Sequence, residues 1–508
     1  MNRPDKDPLV SATRYHAQTC HVRNRISPHS LDFSRYPMPF KRYEYLDKIP
    51  VHPDMDGIDA GVAKALDGRQ VEDRQVEGRR ALDFNRMCHI LSLSCGVTLA
   101  DRSRGIFFRS VPSAGGLYPC QLYLSTNGEA GIDTGLYYCD LVQGLLGKIN
   151  SRPLDTAAMT AGSPHSGTSL VITGIFYHAA WKYRERAFRY LLLDAGHLGE
   201  AVVNAARAVN VAAALCYDFG DRQVGEGLGL DAAHEVPLAC IRLGHETSRM
   251  SDVETIPSQS AEPVSGQSVP IQYPILENAF QAGSAIASPR LPDKDARVFQ
   301  KEPVATIAVP TGEKPLDVSF VHAVFHRRSR RNFTTQDLPR SEWARFLEQV
   351  FMGMGAGQDP LEPGAAATAF LVPAMICQNL EGLSDGIYSF SRDGSTMACM
   401  EQGAFAQDLA RVCLDQAWIS RAAMNFLFLA DIAAVEAALG PRGYRYVMMH
   451  AGRAGQRIYL AAQELGLGCC GIGAMYDNEA IELLDLQPGG FLLYAVSAGP
   501  VKNKGTLS

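Results

Sequence analysis

Four short segments hold side chains whose types and spacing suit chemistry. In His326-Arg327-Arg328-Ser329-Arg330-Arg331-Asn332-Phe333, the residues Arg327, Ser329 and Arg331 alternate. Two guanidinium forks and a hydroxyl at that spacing can converge on a tetrahedral dianion, because arginine donates paired charge-assisted hydrogen bonds to such a group. A solvated basic patch has the same composition. The segment is expected on or just before a helix start. In Pro112-Ser113-Ala114-Gly115-Gly116-Leu117-Tyr118-Pro119, two prolines bracket small residues. Such a loop lets backbone N–H groups and a serine hydroxyl approach a flat ligand, or is simply a turn. In Gly466-Leu467-Gly468-Cys469-Cys470-Gly471-Ile472-Gly473, glycine can end the preceding helix and then admit a ligand against bare backbone; a plain helix cap and tight turn is the alternative. After Trp181, Lys182-Tyr183 pairs an amine with a phenol that can hold and move a proton when partly desolvated, although the dipeptide is commonplace. No Gly-x-Gly-x-x-Gly follows a strand pattern, which speaks against a Rossmann dinucleotide site.

The elements that must carry these segments follow from periodicity. Positions 82–95 read as a helical run, 121–125 and 169–177 as strands, and 190–209 as a long amphipathic helix. The charged stretch 54–80 reads as helix or loop. Strands are interspersed with helices without strict alternation, so the fold class is α+β rather than a doubly wound parallel sheet. Residues 1–50 form a lead-in arm rich in His, Arg, Tyr and Pro. A first domain is expected over 51–245, a Pro/Ser-rich extended connection over 246–315, and a second domain over 316–508.

The two domains repeat one another at a constant offset of 256 positions. Phe188-Arg189-Tyr190 to Gly199 aligns without a gap on Tyr444-Arg445-Tyr446 to Gly455, with Arg, Tyr, Ala and two Gly in register. Further on, Asp221 falls on Asp477, and Leu228 and Leu230 fall on Leu484 and Leu486. So long a period marks a duplicated domain rather than a solenoid. The four segments were not duplicated. Lys182-Tyr183 becomes Ala438-Leu439, and the nearest second-copy candidate for the Pro-Ser loop, Met354-Gly355-Ala356-Gly357, has no serine. Where the first copy should carry the Arg/Ser motif it reads Gly78-Arg79-Arg80-Ala81-Leu82-Asp83, with no serine and an aspartate that would repel phosphate. Each copy keeps what the other has lost, which predicts an intramolecular pseudo-dimer with one working site between the copies and one decayed site.

Composition excludes several classes of function. At 508 residues, 46% hydrophobic and 20% charged, this is an ordinary globular composition with room for two cores. A net charge of −6 without a basic run offers nucleic acid little to hold. Twelve cysteines without a Cys-x-x-Cys point to reduced thiols and a cytoplasmic setting, with Cys469-Cys470 read as two small buried residues. The charged start Met1-Asn2-Arg3-Pro4-Asp5-Lys6-Asp7 leads into no apolar core and is not expected to be a signal peptide. The most apolar stretch, 422–439, holds Asp431 and Glu436 and is not expected to span a membrane. No metal site is expected.

Taken together, the segments resemble the FMN-dependent nitroreductase superfamily, and within it the SagB-type dehydrogenases, the azoline oxidases of thiazole/oxazole-modified peptide pathways. Tyr15-His16, His29-Ser30-Leu31-Asp32, Pro37-Met38-Pro39-Phe40-Lys41, Pro112-Ser113-Ala114-Gly115, Lys182-Tyr183, Phe188-Arg189-Tyr190, Asp194-Ala195-Gly196-His197, and Leu230-Asp231 with Glu235 carry the likeness to that branch. The Arg-x-Ser-x-Arg motif and Gly499-Pro500 are typical of the wider superfamily. The resemblance implies two tandem domains, each a mixed or antiparallel sheet flanked by helices, and FMN at their interface. It implies that Arg327, Ser329 and Arg331 hold the phosphate, with Lys502 and Lys504 as further basic candidates. Gly471, Ile472 and Gly473 would line the N5 side of the ring, and Pro112, Ser113, Ala114 and Gly115 would close the site from the other copy. Lys182 and Tyr183 match the pair credited with proton transfer in azoline oxidases. A small-molecule or modified-peptide substrate follows, with dioxygen reoxidising the flavin and the fused chain plausible as a monomer. A conventional NAD(P)H-dependent nitroreductase or quinone reductase is the alternative, and a flavin-free, non-catalytic scaffold or partner-binding subunit is another.

Overall fold

A computed structural model of the chain describes residues 11–26, 30–38, 41, 43–67, 81–101, 106–155, 167–244, 271–287, 290, 297–312, 318–351 and 363–502. His29, Pro39-Phe40, Gly78 to Arg80, Met354 to Gly357, Lys504 and the first seven residues lie outside them, as does most of the connection 246–315.

Each half builds one seven-stranded antiparallel sheet. The first sheet comprises β1 (Asp47–Pro50), β2 (Cys120–Thr126), β3 (Gly135–Asp140), β4 (Leu145–Asn150), β5 (Thr168–Ile175), β6 (Ala213–Cys216) and β7 (Glu235–Leu243), in the order β1-β4-β3-β2-β5-β7-β6. The second comprises β8 (Ala305–Ala308), β9 (Val372–Cys377), β10 (Gly386–Phe390), β11 (Thr396–Gln402), β12 (Met424–Asp431), β13 (Gly468–Ile472) and β14 (Gly490–Gly499), in the order β8-β11-β10-β9-β12-β14-β13. Adding seven to each label of the first sheet gives the second, so the duplication expected from sequence is a duplication of topology. The architecture is α+β, two tandem domains each of antiparallel sheet and helix. Central strands such as β5 and β12 are buried along nearly their whole length, so their middles, 170–172 and 426–430, read as short apolar runs rather than alternating patterns.

The equivalent helices keep the 256 offset to the residue. They are α1 (Phe176–Tyr183) and α2 (Ala187–Ala208) in the first half, with α3 (Asp221–Gly227); in the second half they are α4 (Ile432–Leu439), α5 (Gly443–Glu464) and α6 (Asp477–Leu483). The strand expected over 169–177 ends two residues sooner, at Ile175. Phe176 and Tyr177, good strand formers by type, instead open α1 with Ile175 as its cap residue. The expected boundary at 316 also shifts. Ala305–Ala308 pairs antiparallel with Thr396–Cys399, so the edge of the second sheet is built from the stretch read as connection. That stretch also holds a helix, Pro274–Ala282, which starts on a proline and buries Leu276 and Phe280.

The halves join through α2 and α5, which lie against each other. A Cβ placed on Gly196 would fall on the carbonyl oxygen of Met449, and one on Gly452 on that of Leu193. These two clashes are equivalent at the 256 offset, so the same small-residue contact is made twice about a pseudo-twofold axis. Each helix also sends two arginines to an aspartate of the other half. Arg186 and Arg189 reach Asp477 at 2.7 and 2.8 Å, while Arg442 and Arg445 reach Asp221 at 2.9 and 2.6 Å. All six residues are buried. Burial by itself would raise the Asp477 carboxyl; the two guanidiniums beside it overcome that and hold it well below the usual carboxylate range. Removing one partner of such a cluster strands the others in a low-dielectric interior. Asp477→Ala is therefore expected to lose about 3–5 kcal/mol of unfolding free energy, read from urea denaturation. A loss under 1 kcal/mol would show that the clamp contributes little.

A candidate active site at the seam between the halves

The Arg/Ser segment follows the helix Phe320–His326 rather than opening one. It runs extended along β13, an edge strand that it covers: Ser329 bridges Cys469 in parallel, and Arg330 N–H donates to the Cys469 carbonyl at 2.8 Å. The glycine-rich stretch is correspondingly a strand, not a tight turn. Gly466 at φ +66° ends α5, and pairing with β14 begins two residues later. The phosphate-type motif and Gly471-Ile472-Gly473 are thus held side by side. Tyr459 of α5 ties them, because its hydroxyl lies 2.9 Å from both Ser329 Oγ and the Gly471 N–H.

The alternating trio divides by burial. Ser329 and Arg331 are exposed, with the Arg331 guanidinium 5.6 Å from the centre of the Trp418 ring. Arg327 is buried and crosses to the other half, where Nε and Nη2 donate to the carbonyls of Ser110 and Arg109 at 2.9 and 3.0 Å. It fastens the base of the Pro-Ser loop. Lys502 runs beside the motif through paired hydrogen bonds with Asn332, its side chain exposed.

From the first half come the loop and the Lys-Tyr pair, already in contact. Ser113 Oγ donates to the Asp194 carboxylate, and the Ala114 N–H donates to the same group at 3.1 Å. Gly115, at φ +65°, brings its backbone against the pair: a Cβ there would stand 2.9 Å from Tyr183 Oη and 3.2 Å from Lys182 Nζ. Tyr183 stacks on Tyr190 with ring centres 3.8 Å apart, and Tyr190 in turn presses on Gly473 of the second half, where a Cβ would meet its ring at 2.6 Å. Bare backbone at Gly471 and Gly473 is therefore required by two tyrosines, Tyr494 and Tyr190. Burial, and then the charge of Arg331, lower the Lys182 ammonium below its usual value, whereas burial raises the Tyr183 phenol well above its own. Of the two, only Lys182 is shifted towards neutrality.

A cavity of about 500 Å³ opens beside this cluster. Thr19, Cys20 and Arg25 of the lead-in arm form one wall, Lys182, Tyr183 and Tyr190 another, and Leu414 and Ala474 extend it into the second half. The arm is strapped across the seam. Arg23 pairs with Glu479 at 2.6 Å and Asp415 at 2.9 Å, Thr13 bonds Glu436, and Trp181 Nε1 donates to the Asp32 carbonyl at 2.9 Å. Sequence reasoning gave the arm no place in the site, because so little of it is periodic. His16, Cys20 and Asp477 bring ligand atoms within 4.8 Å of one another, but both oxygens of Asp477 already bond to guanidiniums.

Among the described residues, the pseudo-symmetric seam is filled by larger side chains. In place of Gly471 and Gly473 stand Leu215 and Tyr217; the Tyr217 ring is buried 5.3 Å from His450, which replaces Asp194. His450 Nε2 lies 2.8 Å from the Gly364 carbonyl oxygen, and the Gly364 N–H donates to Asp218 at 2.8 Å. Glu200 sits there against Arg453 and Arg457 at 2.8 and 3.1 Å, held at about 2 by those cations despite its burial. Ala438 and Leu439 stand where the first half has Lys182 and Tyr183.

Fold and seam together define a class. The chain matches the nitroreductase family over residues 89–245 and again over 324–500, and it belongs to that family. A Methanocaldococcus jannaschii protein named as a nitroreductase, MJ1384, is 27% identical over 180 residues, which cover 35% of this chain and 91% of the relative. A crystal structure of a nitroreductase-type protein from Anabaena variabilis has the same fold, with a TM-score of 0.75 at 21% identity, covering 97% of this chain and 100% of that one. Another from Ralstonia eutropha covers 41% of this chain and all of its own, with a TM-score of 0.33 at 17% identity. No helix among the described residues is long and apolar enough to cross a membrane.

The buried Asp194 was noted in the sequence only as part of a resemblance, yet it anchors the Pro-Ser loop. Burial pushes its carboxyl up to about 7, against the opposing pull of the Ser113 and Ala114 hydrogen bonds. A folded-state value above the unfolded one gives stability that is fully present below about pH 4 and is lost as pH rises through about 7. Asp194→Asn is expected to flatten the fall in Tm between pH 4 and pH 8; parallel profiles for the two proteins would remove Asp194 as its source.

Proposed function

We propose that the protein is an FMN-dependent oxidoreductase with a single composite site at this seam, working in the dehydrogenase direction of the SagB type. One observation carries the reading: the motif segments of both halves meet at one seam, while the equivalent seam is closed by Tyr217, His450 and the Glu200–Arg453–Arg457 cluster. The donor set suits FMN. Exposed Ser329 and Arg331, with Lys502 beside them, present a hydroxyl and cations to a phosphate, and Ser110 Oγ is a buried hydroxyl that has no partner among the described residues, at the foot of the Pro-Ser loop. Arg327 serves the phosphate end indirectly, by fixing that loop. Gly471, Ile472 and Gly473 would line the N5 side of the ring, and Pro112, Ser113, Ala114 and Gly115 would close the site from the other half.

Bound FMN supplies the two-electron chemistry. The chain orients the substrate and handles the proton. Lys182 Nζ, beside Tyr183 and lowered by burial and then by Arg331, accepts or returns the substrate proton, and the Tyr183–Tyr190 stack flanks it. The arm roofs the cavity in which a small molecule or a segment of modified peptide would lie. With both sides of the seam in one chain, we place the protein as a monomer, and its twelve free cysteines suit the cytoplasm.

Purified protein should be yellow with one flavin per chain; two would refute the closed-seam reading, and none after reconstitution with FMN would favour the scaffold alternative. Arg331→Ala is expected to weaken FMN by about ten- to a hundredfold, as for a lost charge-assisted contact of ~1.5–3 kcal/mol, measured by fluorescence titration. Lys182→Ala should keep its flavin but slow turnover by ~10²–10⁴-fold. Anaerobic addition of NADPH or NADH decides the direction: bleaching by either assigns the reductase reading.

A further inference from the structure

We infer that Arg184 is the specificity-determining residue of the cleft and binds an anionic group, a carboxylate or a phosphate ester, on the substrate. This rests on the cleft being the substrate site of the proposed oxidoreductase. Arg184 occupies the corner between α1 and α2 at φ +50° and ψ −131°, where an L side chain is strained. Its equivalent in the second half is Gly440, at φ +68° and ψ −177°, the one residue type that takes such a φ without penalty. The fold thus requires left-handed backbone at this corner in both halves. Only the half that keeps Lys182 and Tyr183 fills it with a charged side chain.

Among the described residues the Arg184 side chain makes no hydrogen bond or ion pair, whereas Arg186, two positions on, is bonded to Asp477, Thr19 and Gly473. Arg184 instead lines the cavity, two residues from Lys182. Arg25, Lys182, Arg184 and Arg186 bring four cations to that lining and Glu185 one carboxylate, with Arg186 paired to Asp477. His21, also on the wall, has its imidazole pushed down to about 4 by burial and then by Arg186, and is neutral at pH 7. Ile26, Leu31, Ile275 and Leu414 supply the apolar remainder. The complementary ligand has an apolar body and one anionic end. With that end on Arg184, its body lies along Tyr183 and Tyr190, towards Lys182 and the seam.

The test uses the FMN-loaded protein and three probes of one shape: 4-nitrobenzoate, 4-nitrophenyl phosphate and 4-nitrobenzamide, titrated by calorimetry. At least one anion is expected to bind about tenfold or more tighter than the amide, and the tighter one identifies the group as carboxylate or phosphate. Arg184→Gly places in the first half the residue that the second half uses, so its Tm should equal or exceed that of the parent. It should weaken the preferred anion by about 10–100-fold and leave the amide unchanged, the range for loss of a hydrogen bond to a charged group. Arg184→Lys should keep part of the preference. Equal binding of all three probes by the parent, or an equal loss of all three in Arg184→Gly, overturns the inference. If the protein takes up no FMN, the oxidoreductase reading fails, but the same titrations on the colourless protein still decide whether Arg184 selects an anion.

Discussion

The structure depends on two buried charge clusters that cross the pseudo-twofold axis, Arg186 and Arg189 on Asp477, and Arg442 and Arg445 on Asp221. An ion pair hidden from water offsets its desolvation only with good geometry and full hydrogen bonding. The geometry is good and the hydrogen bonding nearly complete: the guanidiniums also bond the carbonyls of Thr19, His16, Tyr217, Phe219 and Gly283, and among the described residues only the Nε atoms of Arg186, Arg442 and Arg445 find no acceptor. Because each cluster draws its cations from one half and its anion from the other, neither half is electrostatically complete alone. The Gly196 and Gly452 contacts then let α2 and α5 approach at backbone distance. Everything at the seam, from Gly115 beside Lys182 to Tyr190 over Gly473, is registered by this joint.

Symmetry at the joint coexists with asymmetry only ångströms away. The clamp residues are conserved between the two halves at the 256 offset, whereas nearly every polar residue facing the two seams differs. One seam keeps glycines, a loop anchored on Asp194, and a cavity; the other is filled by Tyr217 and by Glu200 with its arginines. The framework and the seam facings have thus followed different constraints, the first of packing and charge and the second of chemistry.

Much of this was legible in the sequence. Where the offset is strict, as in α1, α2 and α3 against α4, α5 and α6, equivalence could be read residue by residue. Upstream it slips: β2 starts at Cys120 and β9 at Val372, 252 positions apart, so the partner of the Pro-Ser loop could not be found by counting. The Arg/Ser segment was recognised but misplaced before a helix, because its charges say nothing of the backbone hydrogen bonds to Cys469 that hold it extended. Cys469-Cys470 among glycines suggested a turn, since glycine weakens strand propensity; pairing with β14 and the need to clear Tyr494 override it. Asp194 gave no local signal beyond being a carboxylate in an apolar helix. The arm was opaque, as its position comes from Arg23, Thr13 and His21 finding acceptors more than 390 residues away.

A homodimeric enzyme must write every active-site residue into both copies of an identical sequence, so any change is made twice and both clefts move together. Covalent fusion lifts that constraint here. Tyr217 could fill one seam without obstructing the other, and Arg184 could be tried at one corner while glycine stayed at its twin. Single-chain architecture thus frees each seam to be faced with its own side chains, and Tyr217 has turned part of one into interior.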